Sequence, residues 1–489
     1  MVSNVTQREG RPGKAANEKR KEDLRSEFRR DRDRILYSTA WRRLAGVTQV
    51  VIPGADAILL HNRLTHSEKV AQVARTIAEN LTSKYEGDQL NELGGLDPDV
   101  VETAALAHDL GHPPFGHAGE EMLNKLALNE LQLSDGFEGN AQTFRIVTKL
   151  SLRHPRYDGL GLTRASLAAI AKYPWAKGSP SRGPVDRSKK FGVYHSEIPV
   201  LKWAQEFLPQ GGSYYTQDND KLVSPQTLEA AVMDAADDIT YAIHDLEDFY
   251  FAGLLSKGEI VEHLEKYERY VGTSSSSELI VPPTSLVFGS LAQDLASRYP
   301  DYYNQQDYLA GIKTVITFFN EKFMHSTVVT RDHERLARSG LSEKLGDFIL
   351  DVRIEGAPLW LGGPRLLLGS RSWHEVQILK TITREFVVKG SDLSALQQGQ
   401  QHALEELVKV LHWWVYYDRT RLPRRLLEEV EITESQSKGQ KDVDMFEKRG
   451  EINRCILDYL CTLTDEACLH LFRVLGGSRD GSLRLRSSF

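Results

Sequence analysis

The stretch of sequence that decides the fold is Ala107-His108-Asp109-Leu110-Gly111-His112-Pro113-Pro114-Phe115-Gly116-His117-Ala118-Gly119-Glu120-Glu121. The preceding run, Val100–Ala107, is apolar and favours a helix, which the two prolines at 113–114 prevent from continuing. A second helix is predicted to start near Gly116. The stretch therefore predicts two helices joined by a tight turn, with three histidines and three carboxylates gathered around it.

The chemistry of the cluster points to a metal ion. An imidazole nitrogen and a carboxylate oxygen can bind the same divalent ion, and His108-Asp109 offers both. A His-Asp dipeptide alone means little, since a second one stands at His244-Asp245. The dense cluster, a histidine upstream at His66 and an acidic pair downstream at Asp237-Asp238 favour a metal centre over satisfied core histidines.

Length and composition indicate a soluble globular protein. The chain has 489 residues, 40% of them hydrophobic and 26% charged, which is enough for two or three domains. A net charge of −7 argues against a surface that binds nucleic acid throughout. The sequence shows neither a signal core nor an apolar run of the roughly 20 residues that span a bilayer. Together with only three cysteines, this predicts a cytoplasmic protein without membrane association.

The pattern along the chain predicts a mostly helical molecule. Its predicted parts are a flexible tail at 1–24, a catalytic core at 25–272, and a helical C-terminal region at 273–489 that completes the pocket and makes oligomer contacts. A short hairpin or an extended loop is expected at 45–60, the Gly- and Leu-rich region 350–372 could hold strands, and 432–446 is expected to be a loop. The basic, glycine-rich loop 176–192 could close over phosphates, contact nucleic acid or be a disordered surface loop, and these alternatives stay open.

Longer sequence motifs carry a family resemblance. The order His66, His108-Asp109, Asp237 resembles the metal site of the HD-domain phosphohydrolases, and residues 25–255 resemble the bacterial dGTP triphosphohydrolase family. The motifs are Asp31–Ile35, Thr48–Val50, Asn62–Ser67, His108–His117, Phe137–Gln142 and Ala236–Tyr241. The resemblance implies an all-α HD-domain core and metal-dependent hydrolysis of a deoxynucleoside triphosphate, with dGTP favoured. Water would attack the α-phosphorus and release deoxynucleoside and inorganic triphosphate.

The resemblance also implies site residues. The implied metal ligands are His66, His108, Asp109 and Asp237, a set that suits Mn²⁺, Co²⁺ or Fe²⁺ and, more weakly, Mg²⁺. The implied substrate contacts are Gln49 at the sugar or base, Arg63 and His112 at the phosphates, and Tyr241 and Asp245 at the deoxyribose. His117 is the candidate for proton transfer, and Glu120, one helical turn on, would orient it.

Two rival functions stay open at this point. One is an HD phosphohydrolase acting on an alarmone or a cyclic dinucleotide, and the other is a non-catalytic HD protein that senses nucleotide or single-stranded DNA. The resemblance further implies a homo-oligomer and leaves regulation by dNTP or single-stranded DNA open. One departure affects substrate contacts near Tyr308, because Gly311 is followed by Ile312-Lys313-Thr314 where the family usually has Met-Thr-Asp.

Overall fold

The computed structural model describes residues 7–13, 15, 22–49, 62–179, 184–209, 216–218, 221–223, 226–273, 285–323, 330–355, 363–388, 391–438 and 445–477. The α-helices of this part, numbered along the chain, are α1 Glu27–Leu36, α2 Thr39–Arg43, α3 Arg63–Lys84, α4 Gly87–Glu92, α5 Pro98–Ala107, α6 Gly116–Asn129, α7 Gly139–Arg145, α8 Arg164–Ile170, α9 Ile198–Ala204, α10 Leu228–Thr240, α11 Leu246–Phe251, α12 Lys257–Thr273, α13 Val287–Arg298, α14 Gln305–Lys322, α15 Arg331–Leu350, α16 Ser370–Thr383, α17 Ser391–Tyr417, α18 Arg424–Lys438, α19 Met445–Leu460 and α20 Asp465–Leu475.

Short irregular elements complete the description. Segments of π-helix follow α7 at Ile146–Leu150, α10 at Tyr241–Asp245 and α16 at Arg384–Val388. Two antiparallel ribbons pair β1 (Thr216–Asp218) with β2 (Lys221–Val223) and β3 (Val352–Ile354) with β4 (Leu366–Leu368). The all-α class with a few short strands is thereby confirmed, and the expected strands at 350–372 are present.

Local sequence explains where the site-bearing helices begin. The Asn62 side chain accepts the backbone N–H of Thr65 at the start of α3. Asp97 caps α5, whose first residue is Pro98, and Thr227 caps α10. Such caps satisfy N–H groups that have no partner inside the helix, and they fix the residue at which each helix starts.

Helices α3, α5 and α10 pack against one another at the centre of the molecule. Their buried faces are rich in alanine, at Ala71, Ala74, Ala78, Ala104, Ala105, Ala230, Ala231 and Ala236. Small side chains let helix axes approach closely, so polar side chains at the ends of these helices can meet in one place.

The buried apolar side chains form two large cores. The first extends from Phe28 to Val387 and contains α3, α5 and α10. The second joins α6, through Leu123 and Leu126, to α17, α18, α19 and α20. The predicted division at 272–273 does not coincide with the division between the cores, because α6 packs with the C-terminal helices while α14, α15 and α16 pack with the first core.

Part of the predicted flexible tail is folded onto the first core. Arg8 is buried and pairs with Glu229 of α10, and the buried Arg11 lies 2.6 Å from Asp31. The run of charge in this segment suggested solvation, but the carboxylates that pair with it come from helices elsewhere in the chain. Of residues 1–24, only 7–13, 15 and 22–24 are described.

Two further expectations have mixed outcomes. The loop expected at 432–446 is wrong for residues 432–438, which continue helix α18. The hairpin expected at 45–60 lies mostly outside the described residues, although Thr48 forms an antiparallel bridge with Asn62. Within the described segments, no helix combines the length and apolar character needed to cross a membrane.

Candidate metal centre and catalytic pocket

Three predicted ligands converge where the central helices meet. His66 lies in the first turn of α3, His108 directly follows α5, and Asp237 lies in α10. The Oδ1 atom of Asp237 is 3.2 Å from His66 Nε2 and 3.6 Å from His108 Nε2. Two imidazole nitrogens and a carboxylate oxygen at this spacing form a group that could hold a divalent ion.

Hydrogen bonding prepares His108 for that role. Its Nδ1 atom lies 2.7 Å from the carbonyl oxygen of Ala105, so Nδ1 carries the proton and donates it. Its Nε2 atom faces the pocket and, among the described residues, is buried without a hydrogen-bond partner. A histidine with one nitrogen bonded to a carbonyl and the other left free has the arrangement of a metal ligand.

Asp109, the fourth predicted ligand, stands at the edge of this group. Its Oδ2 atom accepts a 2.7 Å hydrogen bond from Arg63 Nη1. Its Oδ1 atom lies 3.5 Å from His108 Nε2 and 3.1 Å from His112 Nδ1. Asp109 therefore lies between the three converging ligands and the guanidinium of Arg63.

Charge in the pocket favours a bound cation. Burial alone would lower the pKa of His108, but the carboxylates of Asp109 and Asp237 raise it to about 9. Without an ion, the carboxylates therefore draw a proton onto the ring. A divalent ion would supply positive charge to the carboxylates in place of that proton.

Sequence reasoning missed Lys172, which covers the other side of Asp237. Its Nζ atom lies 3.2 Å from Asp237 Oδ2 and 2.7 Å from Asp234 Oδ1. Burial would raise the pKa of Asp237, but Lys172 and His108 hold it well below the usual value. The sequence does contain a signal for a cation here. Asp234 and Asp237 lie three residues apart on a largely apolar helix, and two carboxylates so placed favour a nearby cation.

The turn between α5 and α6 depends on close backbone contacts. A side chain at Gly111 would place its Cβ 2.1 Å from the carbonyl oxygen of Gly139. Phe115 has a left-handed backbone, with φ 67° and ψ 18°, and it immediately precedes α6. This turn brings the start of α6, with His117, back towards the metal ligands.

His117 and Glu120 form the predicted pair. His117 Nδ1 is 3.3 Å from Glu120 Oε2, and the His117 side chain is 71% exposed while that of Glu120 is largely buried. Burial would raise the pKa of Glu120, but the hydrogen bond from His117 and the charge of Lys190 hold it well below its usual range. Burial and the charge of Arg63 lower the pKa of His112 to about 4, so its ring is neutral at pH 7.

Part of the basic loop 176–192 lies at this pocket. Lys190 Nζ is 3.1 Å from Glu138 Oε1 and 3.4 Å from Glu120 Oε1. The indole N–H of Trp175 donates to the Lys190 carbonyl at 2.8 Å and fixes the backbone there. Residues 180–183 of the loop are outside the described part.

The predicted sugar-side residues lie on an interrupted helix. The sequence interpretation placed Asp237, Tyr241 and Asp245 on one stripe, but 241–245 is π-helical, and its wider turn rotates Asp245 relative to Tyr241. Asp245 is 3% exposed. Its Oδ2 atom and the Oε1 atom of Gln49 are buried and lack hydrogen-bond partners within the described residues.

The sequence left substrate contacts from the helix around Tyr308 in doubt. Tyr308 is fully buried and donates a 2.7 Å hydrogen bond to the carbonyl oxygen of Phe288, so this part of α14 belongs to the first core. A Thr-Asp pair occurs instead at Thr464-Asp465, where Asp465 accepts the N–H of Phe115 in the turn before α6. Sequence reasoning placed no functional residue in that segment.

The helical fold and the His, His-Asp, Asp site define the class as an HD-domain protein, and the HD domain family model matches residues 63–242. The chain is 31% identical over 473 residues to the deoxyguanosinetriphosphate triphosphohydrolase-like protein of Bifidobacterium longum, covering 94% of this chain and 85% of that protein. The protein of the same name from Shewanella loihica is 30% identical, with 95% and 96% covered. This chain therefore belongs to the deoxyguanosinetriphosphate triphosphohydrolase-like family of HD hydrolases.

Proposed function

We propose that this protein hydrolyses deoxynucleoside triphosphates, with dGTP favoured, to deoxynucleoside and inorganic triphosphate, and that it uses a divalent metal ion. The observation that carries the proposal is the position of the ligand group His66, His108 and Asp237 between two cations, the buried Arg63 and the partly buried Lys172. A triphosphate carries several negative charges, so its binding and its transition state both require positive charge on more than one side. The names of the relatives point to the same substrate class.

Arg63 has the features of a phosphate-binding residue. It is 1% exposed, and one of its N–H groups is engaged by Asp109. Its Nε and Nη2 atoms are buried and have no hydrogen-bond partner in the described part of the chain. A buried guanidinium with unused donors is suited to phosphate oxygens.

A cleft of about 560 Å³ adjoins the ligand group through Lys172, which lines it together with Lys190 and Lys380. That volume lies within the range of small-molecule sites. The lining also carries Asp186, Asp234 and Asp238, so the cleft supports the proposal by its position next to Lys172 and not by its net charge.

These positions support the following reaction. Water attacks the α-phosphorus and loses a proton to solvent, the bond to the 5′-oxygen breaks, and that oxygen takes up a proton. His117 donates the proton, and Glu120 orients its ring and stabilises the positive charge on it. A bound Mn²⁺, Co²⁺, Fe²⁺ or Mg²⁺ ion, held by His66, His108 and Asp237 with Asp109 alongside, would supply charge that polarises the phosphate.

A substrate panel tests the proposal. Purified protein is incubated with Mn²⁺ or Mg²⁺ and, separately, the four dNTPs, GTP, a guanosine alarmone and a cyclic dinucleotide. Chromatography is expected to show deoxynucleoside and triphosphate from dGTP. Release of pyrophosphate or monophosphate would contradict attack at the α-phosphorus with loss of the 5′-oxygen. Turnover of only the alarmone or the cyclic dinucleotide, or of none of the substrates, would contradict the proposed function.

A further inference from the structure

Asp465 is the first residue of α20, the last described helix. Its Oδ2 atom accepts hydrogen bonds from the backbone N–H of Thr48 at 2.9 Å and from the Thr48 hydroxyl at 2.5 Å. Its Oδ1 atom accepts the backbone N–H of Phe115 at 2.8 Å. One carboxylate therefore joins two segments that precede it in the chain by 417 and 350 residues.

Both segments lead directly to pocket residues. Thr48 precedes Gln49, and its bridge to Asn62 places it beside the start of α3, which carries Arg63. Phe115 is two residues before His117. Any movement of these backbone segments would displace side chains on both sides of the pocket.

The backbone conformation of Phe115 indicates that its hydrogen bond to Asp465 helps to hold a constrained turn. Its φ of 67° lies in the left-handed region, which bulky residues rarely adopt. Such a conformation persists only where surrounding contacts enforce it. Here the Phe115 ring is buried in the second core and its N–H is bound by Asp465.

Neighbouring contacts hold the Asp465 segment against the same turn. The buried Arg43 donates to the carbonyl oxygen of Leu463 at 2.8 Å and to that of Leu110 at 3.1 Å. A Cβ at Gly46 would lie 2.6 Å from the Thr464 methyl carbon, so the Thr464 side chain packs directly on the backbone of Gly46. Asp465 is thus held at a fixed place relative to the turn.

We propose that Asp465 is a positioning residue of the active site, which holds the Thr48-Gln49 segment and the turn before His117 without contacting substrate. The catalytic part of this inference rests on the proposed function. The structural part, in which Asp465 accepts hydrogen bonds from two backbone amides, rests on those hydrogen bonds alone. A test therefore needs one catalytic and one non-catalytic measurement.

The experiment compares Asp465→Asn and Asp465→Ala with the matched control Glu466→Ala. Glu466 lies in the same first helical turn, and its side chain is 77% exposed. In both Asp465 variants, kcat for dGTP is expected to fall on the order of 10–100-fold, more than KM rises, because the proton donor is misplaced. Metal content and Tm are expected to stay near wild type in Asp465→Asn, and the control is expected to match wild type.

Hydrogen exchange of the peptides that contain Thr48 and Phe115 is followed in the same proteins, and it should accelerate only in the Asp465 variants. Accelerated exchange with wild-type kcat would overturn the positioning role, and unchanged exchange would overturn the contact itself. An equal loss in Glu466→Ala would assign the effect to charge at the helix start. If wild type hydrolyses no dNTP, the proposed function fails and the catalytic half of this inference falls with it, while exchange still decides the structural half. Asp465→Asn keeps the test decisive if Asp465→Ala does not fold.

Discussion

His117 has the geometry expected of a proton donor. Its ring is largely exposed and is hydrogen-bonded to the largely buried Glu120. Because Glu120 stays ionised, it can stabilise the imidazolium form from which a proton is given up.

Replacing His117 with Ala should therefore lower kcat by roughly 10²–10⁴-fold, as is typical for loss of an acid–base group. Metal content should not change, because His117 is outside the ligand group His66, His108 and Asp237. Glu121→Gln, at an exposed position beside Glu120, is the control and should keep wild-type turnover. If turnover in His117→Ala stays within a few-fold of wild type, His117 is only a residue at the start of α6 and not a proton donor.

Tyr241 gives a prediction about sugar selectivity. It follows Asp237 by one helical turn, and its side chain is partly exposed. A ring packed on deoxyribose leaves no room for a 2′-hydroxyl, and burying that hydroxyl unpaired would cost about 1–3 kcal/mol. Wild type should therefore hydrolyse dGTP far better than GTP, and Tyr241→Ala should narrow the gap. Measuring kcat/KM for both nucleotides decides the point, since an unchanged ratio would place the selectivity elsewhere.

For individual residues, the sequence predicted which side chains belong to the site better than it predicted their contacts. His108 and Asp109 could be predicted from their order with His66 and Asp237, because that order is a motif. The pairing of Asp109 with Arg63 could not be predicted, since it depends on how α3 packs against α5. Lys172 stands in an irregular segment, where no periodicity indicates which way a side chain points.

Among the structural elements, the turn between α5 and α6 is the most constrained. At Gly111, an added Cβ would meet Gly139 O at 2.1 Å and Thr143 N at 2.2 Å. Both are backbone atoms, which cannot move aside as a flexible side chain would.

Gly111→Ala should lower the free energy of unfolding by at least the roughly 1–3 kcal/mol typical of overpacking, and it should weaken metal binding by shifting His108 and Asp109. Gly87→Ala is the control, because no atom within 4 Å would meet its Cβ. Urea unfolding and metal analysis of both variants measure the effect. Wild-type stability in Gly111→Ala would show that the close approach is not required.

The ends of helices and strands could be predicted where the hydrophobic pattern was regular and prolines marked a boundary. The proline pair and the apolar run gave α5 and the start of α6, and residues 350–372 yielded β3 and β4. The π-helical segment 241–245 was not predictable, because its residues fit an ordinary α-helical period equally well. In the folded protein this segment packs against α16.

At the scale of the whole molecule, a buried ionic network joins the two cores. Arg145, at the end of α7, lies 2.8 Å from Asp458 of α19 and 2.7 Å from Glu197. Gln142 also donates to Asp458, at 2.9 Å. These groups connect the region around the metal ligands to the C-terminal helices.

Asp458→Ala should destabilise the protein by about 3–5 kcal/mol, because it removes the main partner of a buried guanidinium. Asp418→Ala is the matched control, since it breaks the pair with Arg421, whose side chain is 65% exposed, and should change the stability little. Thermal or urea unfolding of both variants compares them. Equal stability of the two variants would show that the network does not hold the cores together.

Long-range organisation was the least predictable level. The sequence divided the chain at 272–273, whereas α6 packs with helices that follow it by almost three hundred residues. No local pattern encodes such pairings, because many apolar helix faces are equivalent until they are packed. Assembly into homo-oligomers and a response to dNTP or single-stranded DNA stay predictions of the family resemblance.

The central claim is that His66, His108 and Asp237 hold the ion on which turnover depends, and it is tested most directly by elemental analysis combined with dGTP turnover in Asp237→Ala. Asp238→Asn is the control, because Asp238 is adjacent on α10 but pairs with Lys380 instead of facing the two histidines. We expect a folded Asp237→Ala protein with little bound metal and no turnover, and a control that retains its metal. Full metal occupancy with normal turnover in Asp237→Ala would contradict it.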